Sequence, residues 1–342
     1  MSSMPVLAAI AVSFIVTAVL GVWVIPFLRK MKCGQTILDI GPKWQKNKQG
    51  TPTMGGILFI LGIFAGVCAG YSLLVNGAGG AMYSHLRLDD MRIFMGMLMA
   101  LAFGLVGFVD DYIKVVKKRN LGLSAGQKML MQFCIAILYL ASLYMAGDHS
   151  TIVLVPFLGQ WSLGIFYHPL AVLGIVYLVN VVNITDGIDG LCTSVTFVVS
   201  LGFLVLAAML RFEGMSMMAG ALAGGCIGFL IWNFYPARVF MGDTGSLFLG
   251  GMVVAIAFGL GIPVYLLFMG LVYILEGLSV VIQVVYFKFT RITTGTGRRL
   301  FKMSPIHHHF EMCGWSETHI VTAFSLVQLV SCLLAYLAVL RV

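Results

Sequence analysis

The chain has 342 residues, 60% of them hydrophobic and only 10% charged, with a formal net charge of +8 and a mean hydropathy of +1.00. Soluble globular proteins carry about 25% charged residues, so this balance excludes a soluble domain, a disordered chain and a disulfide-stapled scaffold. The excess of lysine and arginine reads as charge retained on one side of a bilayer, and no nucleic-acid partner is expected.

A helix crosses a bilayer with roughly 20 apolar residues. Ten such runs are predicted, over 6–28, 57–75, 92–109, 129–146, 169–185, 191–210, 217–235, 247–262, 264–287 and 319–340. Membrane barrels show short alternating segments instead, so the fold class is all-α: a polytopic integral membrane protein forming one domain over 1–342. The first run has no basic leader, is too long for a signal core and precedes Arg29-Lys30; it is expected as a retained helix. The break between the eighth and ninth runs falls at Gly261-Ile262-Pro263, and 151–165 is expected as a hairpin on the membrane surface. Loops near 29–56, 110–128, 183–190, 233–246 and 288–318 hold every lysine and arginine except Arg87, Arg92, Arg211 and Arg341. That asymmetry predicts five cytoplasmic loops and both termini outside. The seven cysteines are odd in number and lack any Cys-x-x-Cys spacing, so neither disulfides nor a zinc site are expected. No internal repeat is present, which counts against an inverted-repeat secondary transporter, the rival class.

Acidic residues near a membrane core are costly, and most of the 13 lie in those loops: Asp39, Asp110, Asp111, Asp186, Asp189, Asp243, Glu311 and Glu317. Asp110-Asp111 end the third run, where the helix dipole disfavours carboxylates and adjacent anions repel; either Mg²⁺ or Lys114 one turn on would relieve both. Asp186 and Asp189, in Asn183-Ile-Thr-Asp-Gly-Ile-Asp189, have the i, i+3 spacing of one helical face, although Asp186 is also a candidate cap for the sixth helix. Asp243 stands just before a helix N-terminus, between glycines that allow close approach of a ligand. A few carboxylates with phosphates completing the shell suit Mg²⁺. Arg298-Arg299 after a Gly/Thr turn suit phosphate, and His307, His308 and His309 are expected to hydrogen-bond phosphate or sugar rather than converge on a metal. Lys48 precedes a similar Thr/Gly turn, Thr51-Pro-Thr53. Glu276 and Gln283 share a face of the ninth run, Glu276 as a buried polar group satisfied by neighbouring helices. There is no Walker A, GxGxxG or GxSxG pattern. Carboxylates, cations and glycine turns on one membrane face point to metal-assisted phosphoryl transfer.

Thr51-Pro-Thr-Met-Gly-Gly56, Asp110-Asp111-Tyr112, Asn183-Ile-Thr-Asp-Gly-Ile-Asp-Gly-Leu191, Asn233-Phe-Tyr-Pro-Ala237, Met241-Gly-Asp-Thr-Gly-Ser246 and Pro305-Ile-His-His-His-Phe-Glu311 resemble the polyprenyl-phosphate N-acetylhexosamine-1-phosphate transferases. The Pro-Ile-His-His-His-Phe-Glu form resembles their phospho-N-acetylmuramoyl-pentapeptide-transferase branch more than the branch using UDP-N-acetylglucosamine, which is the alternative. The resemblance implies transfer of phospho-N-acetylmuramoyl-pentapeptide from its UDP form to undecaprenyl phosphate, giving lipid I and UMP with Mg²⁺, in peptidoglycan synthesis. It implies a multi-pass protein of the bacterial cytoplasmic membrane, acting on the cytoplasmic face as a homodimer. It also implies Asp243 as the principal Mg²⁺ ligand, Asp110 and Asp111 as a catalytic pair with Asp110 the base, and Phe240 stacking on uracil. Lys48, Thr53, Lys114, Lys128, Asn183, Asp186, Asp189, Asn233, Gln283, His307, His308 and His309 correspond to substrate-binding positions.

Overall fold

The computed structural model describes residues 3–31, 48, 50–77, 88–116 and 122–341. Asp39 and most of the outer stretch 76–91 lie outside the described residues. Among the described residues, ten helices are long and apolar enough to cross a membrane: α1 (Met4–Lys30), α2 (Gly56–Gly77), α3 (Leu88–Val116), α4 (Ala125–Met145), α5 (Tyr167–Thr185), α6 (Leu191–Met209), α7 (Glu213–Asn233), α8 (Gly242–Gly259), α10 (Leu271–Thr294) and α12 (Glu317–Val339). Two short helices, α9 (Leu266–Met269) and α11 (Ile306–Glu311), interrupt the pattern. The chain is therefore an all-α, multi-pass membrane protein.

The expected hairpin is present: β1 (Ile152–Val155) pairs antiparallel with β2 (Gly159–Ser162), Val153 opposite Trp161. The expected break after the eighth span is longer than a turn. Pro263 starts a single 3-10 turn, α9 follows, and the ninth span begins only at Leu271. Proline lacks the N–H that a continuous helix needs.

The bundle is built around α8, which is buried from Thr244 to Gly259. Lipid solvates apolar side chains as well as a core does, so close backbone approach and interhelical hydrogen bonds drive the packing. The Ser13 hydroxyl of α1 donates to the Ala221 carbonyl of α7 at 2.7 Å. Gln328 of α12 donates to the Phe268 and Met269 carbonyls at 3.1 and 3.0 Å, satisfying the backbone that the α9 break exposes.

Three expectations about helix ends are corrected. Asp110 and Asp111 lie more than a turn inside α3, which continues to Val116. Asp243 lies within the first turn of α8 rather than before it, where the positive end of the dipole favours an anion. Asp186 and Asp189 share no helical face and cap no sixth helix. They sit in the turn between α5 and α6, Asp186 closing α5 and Gly190, at φ 74°, opening α6.

Candidate active site

The centre of the site forms where α3 meets α8 backbone to backbone. A Cβ on Gly107 would lie 2.0 Å from the Asp243 carbonyl oxygen, so only glycine permits this approach. The contact brings Asp110 and Asp111, one turn further along α3, against the start of α8. Asp110, Asp111 and Asp243 each offer one carboxylate oxygen, and these oxygens lie within 4.8 Å of one another.

Each carboxylate is held differently. Asp111 Oδ2 accepts from the Thr244 amide at 2.9 Å and the Thr244 hydroxyl at 2.7 Å. Asp110 Oδ1 accepts from the Leu123 amide at 2.8 Å, which ties the start of the α4 segment to α3. The Lys114 ammonium sits 2.5 Å from Asp110, 3.0 Å from Asp243 and 3.7 Å from Asp111, and Lys128 Nζ lies 2.9 Å from Asp243. Three carboxylates thus face two ammonium groups. A residual negative charge and a set of hard oxygen donors fit a small divalent cation.

The turn 183–190 links this centre to its surroundings. The Ser246 hydroxyl of α8 donates to Asn183 Oδ1 at 2.7 Å. Burial, then the charges of Asp243, Asp111 and Asp189, push the Asp186 carboxyl up to about 8. Asp189 binds three separate segments: it accepts from Lys48 Nζ at 2.7 Å and the Ala237 amide at 2.9 Å, while its own amide donates to Glu317 Oε2 at 2.9 Å. Glu317 also accepts from Lys48 at 2.6 Å. Burial alone would lower the Lys48 pKa, but its bonds to Asp189 and Glu317 raise it, so the ammonium stays charged.

Several of the expected substrate-binding residues brace backbone. Asn233 accepts from Thr193 at 2.9 Å and donates to the Val239 carbonyl at 3.0 Å. Gln283 accepts from the Leu300 and Phe301 amides at 3.1 and 2.9 Å and donates to the Phe301 carbonyl at 3.0 Å. Phe240 is half-buried; its amide donates to Pro52 and its carbonyl accepts from Gly55, joining the 51–56 turn to the start of α8. Thr53 lies on the same turn; a Cβ on Gly242 would be 2.8 Å from Thr53 Oγ1 and 2.5 Å from Asp111 Oδ2.

The three histidines have separate hydrogen-bond partners, although the His307 and His308 rings lie 4.1 Å apart. His307 Nδ1 pairs with Glu276 Oε2 at 3.0 Å, both side chains fully buried. His308 Nδ1 lies 2.5 Å from Glu311 Oε2. His309 Nδ1 accepts from the Lys302 amide at 3.1 Å. Burial lowers the His308 pKa despite the opposing pull of Glu311, with His307 adding to the lowering. The partner of Glu276 is therefore the loop helix α11, not a neighbouring span. The pair anchors α11 in the bundle, and Gly187 of the acidic turn packs directly on it: a Cβ there would lie 2.1 Å from His307 Nε2. Gly187→Ala is expected to displace either the ring or the turn, costing about 1–3 kcal/mol as an overpacked core does. Apparent unfolding temperature and turnover, measured on the same purified variant, should both fall; values equal to wild type would mean the contact is not held.

The residues that sequence reasoning did not single out as site residues are Thr244, Glu317, Ser246 and the Ala237 and Leu123 amides. Thr244, Ser246 and Ala237 lie inside motifs already noted. Glu317 carried a weak signal, an acid one residue after Ser316, whose hydroxyl accepts from the His319 amide and caps α12.

Fold and site together define a polytopic membrane protein with an acidic, lysine-flanked centre at one end of its bundle. Residues 93–261 match the model of glycosyl transferase family 4, and residues 48–60 match signature 1 of phospho-N-acetylmuramoyl-pentapeptide-transferase. A phospho-N-acetylmuramoyl-pentapeptide-transferase of Acetivibrio thermocellus is 43% identical over 95% of this chain and 93% of its own length. Proteins of the same name from Clostridium perfringens and Heliobacterium modesticaldum are 43% and 44% identical, over 97% and 96% of this chain and 96% of each relative. The chain belongs to the phospho-N-acetylmuramoyl-pentapeptide-transferase family.

Proposed function

We propose that this chain transfers phospho-N-acetylmuramoyl-pentapeptide from its UDP-activated form to undecaprenyl phosphate, yielding lipid I and UMP, at the Asp110–Asp111–Asp243 centre with Mg²⁺. An oxygen of the polyprenyl phosphate attacks the phosphorus that bears the sugar. The bond from that phosphorus to the UMP oxygen breaks, and UMP leaves with the electron pair. The observation that carries this reading is the convergence of three carboxylates and two lysines at one end of the bundle. A transporter would place its polar site near the midplane between repeats.

Asp243 would hold the metal with Asp110 and Asp111 beside it, and Mg²⁺ there would neutralise phosphate charge and polarise the phosphoryl group. Lys114 and Lys128 screen the approaching phosphates. Thr244 fixes Asp111 by two hydrogen bonds and Leu123 and Lys114 hold Asp110; the resemblance assigns Asp110 as the carboxylate toward the lipid phosphate. That phosphate is already largely ionised, its second pKa being about 6, so positioning and charge neutralisation outweigh proton removal. Lys48 and Asp189 with Phe240 form the nucleotide end, and the histidine helix the sugar end. The basic loops support a reading in which this end of the bundle faces the cytoplasm, in a bacterial inner membrane with both termini outside; the family implies a homodimer.

The identity of the leaving nucleotide tests the reaction. UMP with a pyrophosphate-linked lipid product is expected; release of UDP would mean transfer of the sugar without its phosphate and would overturn the assignment.

Metal binding should be linked to protons. Asp186, raised to about 8 from roughly 3.9 in an unfolded chain, is protonated at neutral pH in the metal-free protein. Its contribution to stability is complete below the unfolded value and is lost as pH rises through about 8. A cation among the neighbouring carboxylates favours the ionised form, so binding should release this proton. Mg²⁺ affinity should rise with pH up to about 8 and then level off, with Asp186→Asn flattening the rise. Calorimetry in buffers of different ionisation heats measures it; a wild-type affinity independent of pH contradicts it.

A further inference from the structure

The last three turns of α10 stand apart from the bundle. From Val281 to Thr294 every residue is exposed except Gln283 and Thr290. At Gln283 the chain is already bonded to Leu300 and Phe301 on its way back. Residues 283–294 thus form an arm of about 16 Å at 1.5 Å per residue, with the return segment lying along it. Two contacts fasten that segment: the Arg298 amide donates to Thr290 Oγ1 at 2.8 Å, and Gly297 packs on the Phe287 ring.

The arm has two chemical characters. Val284, Val285, Phe289, Ile292 and Leu300 are 45%, 60%, 62%, 84% and 52% exposed, apolar surface that belongs in acyl chains rather than in water. The tip carries Lys288, Arg291, Arg298 and Arg299, all exposed. No acidic residue occurs between Glu276 and Glu311. Among the described residues none of these four side chains makes an ion pair or hydrogen bond. The fold-back brings Arg298 beside the helical turn that bears Arg291, while Lys288 and Arg291, three residues apart, share a helical face.

We propose that this arm is a binding site for anionic phospholipid, its apolar flank seated in the acyl region and its four cations holding phosphate headgroups of the leaflet at the active-site end. An amphipathic segment with basic residues beside apolar ones binds an interface in this way, and an anionic leaflet supplies the charge complement that the protein lacks here. The inference is independent of the reaction assigned above.

The test uses the full chain reconstituted in phosphatidylcholine bilayers containing traces of spin-labelled phosphatidylglycerol or spin-labelled phosphatidylcholine. The motionally restricted fraction of each label measures its selectivity for the protein surface. Wild type should prefer phosphatidylglycerol by about fivefold, the association of one well-placed cation with an anionic surface, and the preference should shrink with added salt. Lys288→Gln/Arg291→Gln should lower the preference and leave turnover in pure phosphatidylcholine unchanged, which also reports that the variant is folded. Adding Arg298→Gln/Arg299→Gln should bring the preference to unity. An unaltered preference in the fourfold variant overturns the proposal. So does an unaltered preference accompanied by a raised KM for undecaprenyl phosphate, which would assign the arm to the lipid substrate.

Discussion

Asp243→Asn is expected to lower turnover at limiting Mg²⁺ by about 10²–10³-fold or more, the scale of losing one preorganised electrostatic contact in a dry site. The substitution keeps shape and volume. It removes the charge that Lys114 and Lys128 both contact, at 3.0 and 2.9 Å, and leaves two carboxylates facing two ammonium groups. A centre of that balance has no residual negative charge to draw a dication. The loss should therefore lie in metal affinity as well as in rate, with normal membrane insertion, and high Mg²⁺ should restore part of it. Steady-state turnover against Mg²⁺ concentration checks this; wild-type behaviour at limiting metal would remove Asp243 from the ligand set.

Lys114→Gln is expected to reduce both stability and turnover, with an opposite response to metal. Without metal, the Lys114 ammonium lies among all three carboxylates, and its loss leaves them to repel one another with only Lys128 nearby. Breaking a buried ion pair costs about 3–5 kcal/mol. Lys114 is 34% exposed, so solvent screening brings the expected cost to about 1–2 kcal/mol. Saturating Mg²⁺ should recover the stability, because the cation replaces the lost charge, but not the turnover, because the phosphates still lack a screening partner. Apparent unfolding temperature with and without Mg²⁺ distinguishes the cases. A loss of stability that metal leaves untouched would mean that Lys114 is merely packed, not electrically coupled to the centre.

The spans were legible because the bilayer imposes one length and one chemistry, and the ten long helices fall where the ten apolar runs are. Helix ends were less legible, since hydropathy marks where lipid begins and not where backbone hydrogen bonding stops. Thus α3 runs on to Val116 past two aspartates and a lysine, paired with partners from α8 that no local pattern reveals. The turn 183–190 misled for the same reason: i, i+3 spacing describes a helix, whereas Asp189 is fixed by Lys48, Ala237 and Glu317 from three distant segments. Glu276 was readable as buried but not as the partner of His307, 31 residues later. The motifs named the three carboxylates that meet between α3 and α8, but not that Asn233 and Gln283 hydrogen-bond backbone.

Purified wild-type protein, supplied with undecaprenyl phosphate and Mg²⁺ and given either UDP-N-acetylmuramoyl-pentapeptide or UDP-N-acetylglucosamine, provides the most direct measurement. UMP released in step with a lipid-linked product from the muramoyl nucleotide alone, and abolished by chelating the metal, is the predicted result. UMP from UDP-N-acetylglucosamine alone, or turnover indifferent to chelation, would contradict it.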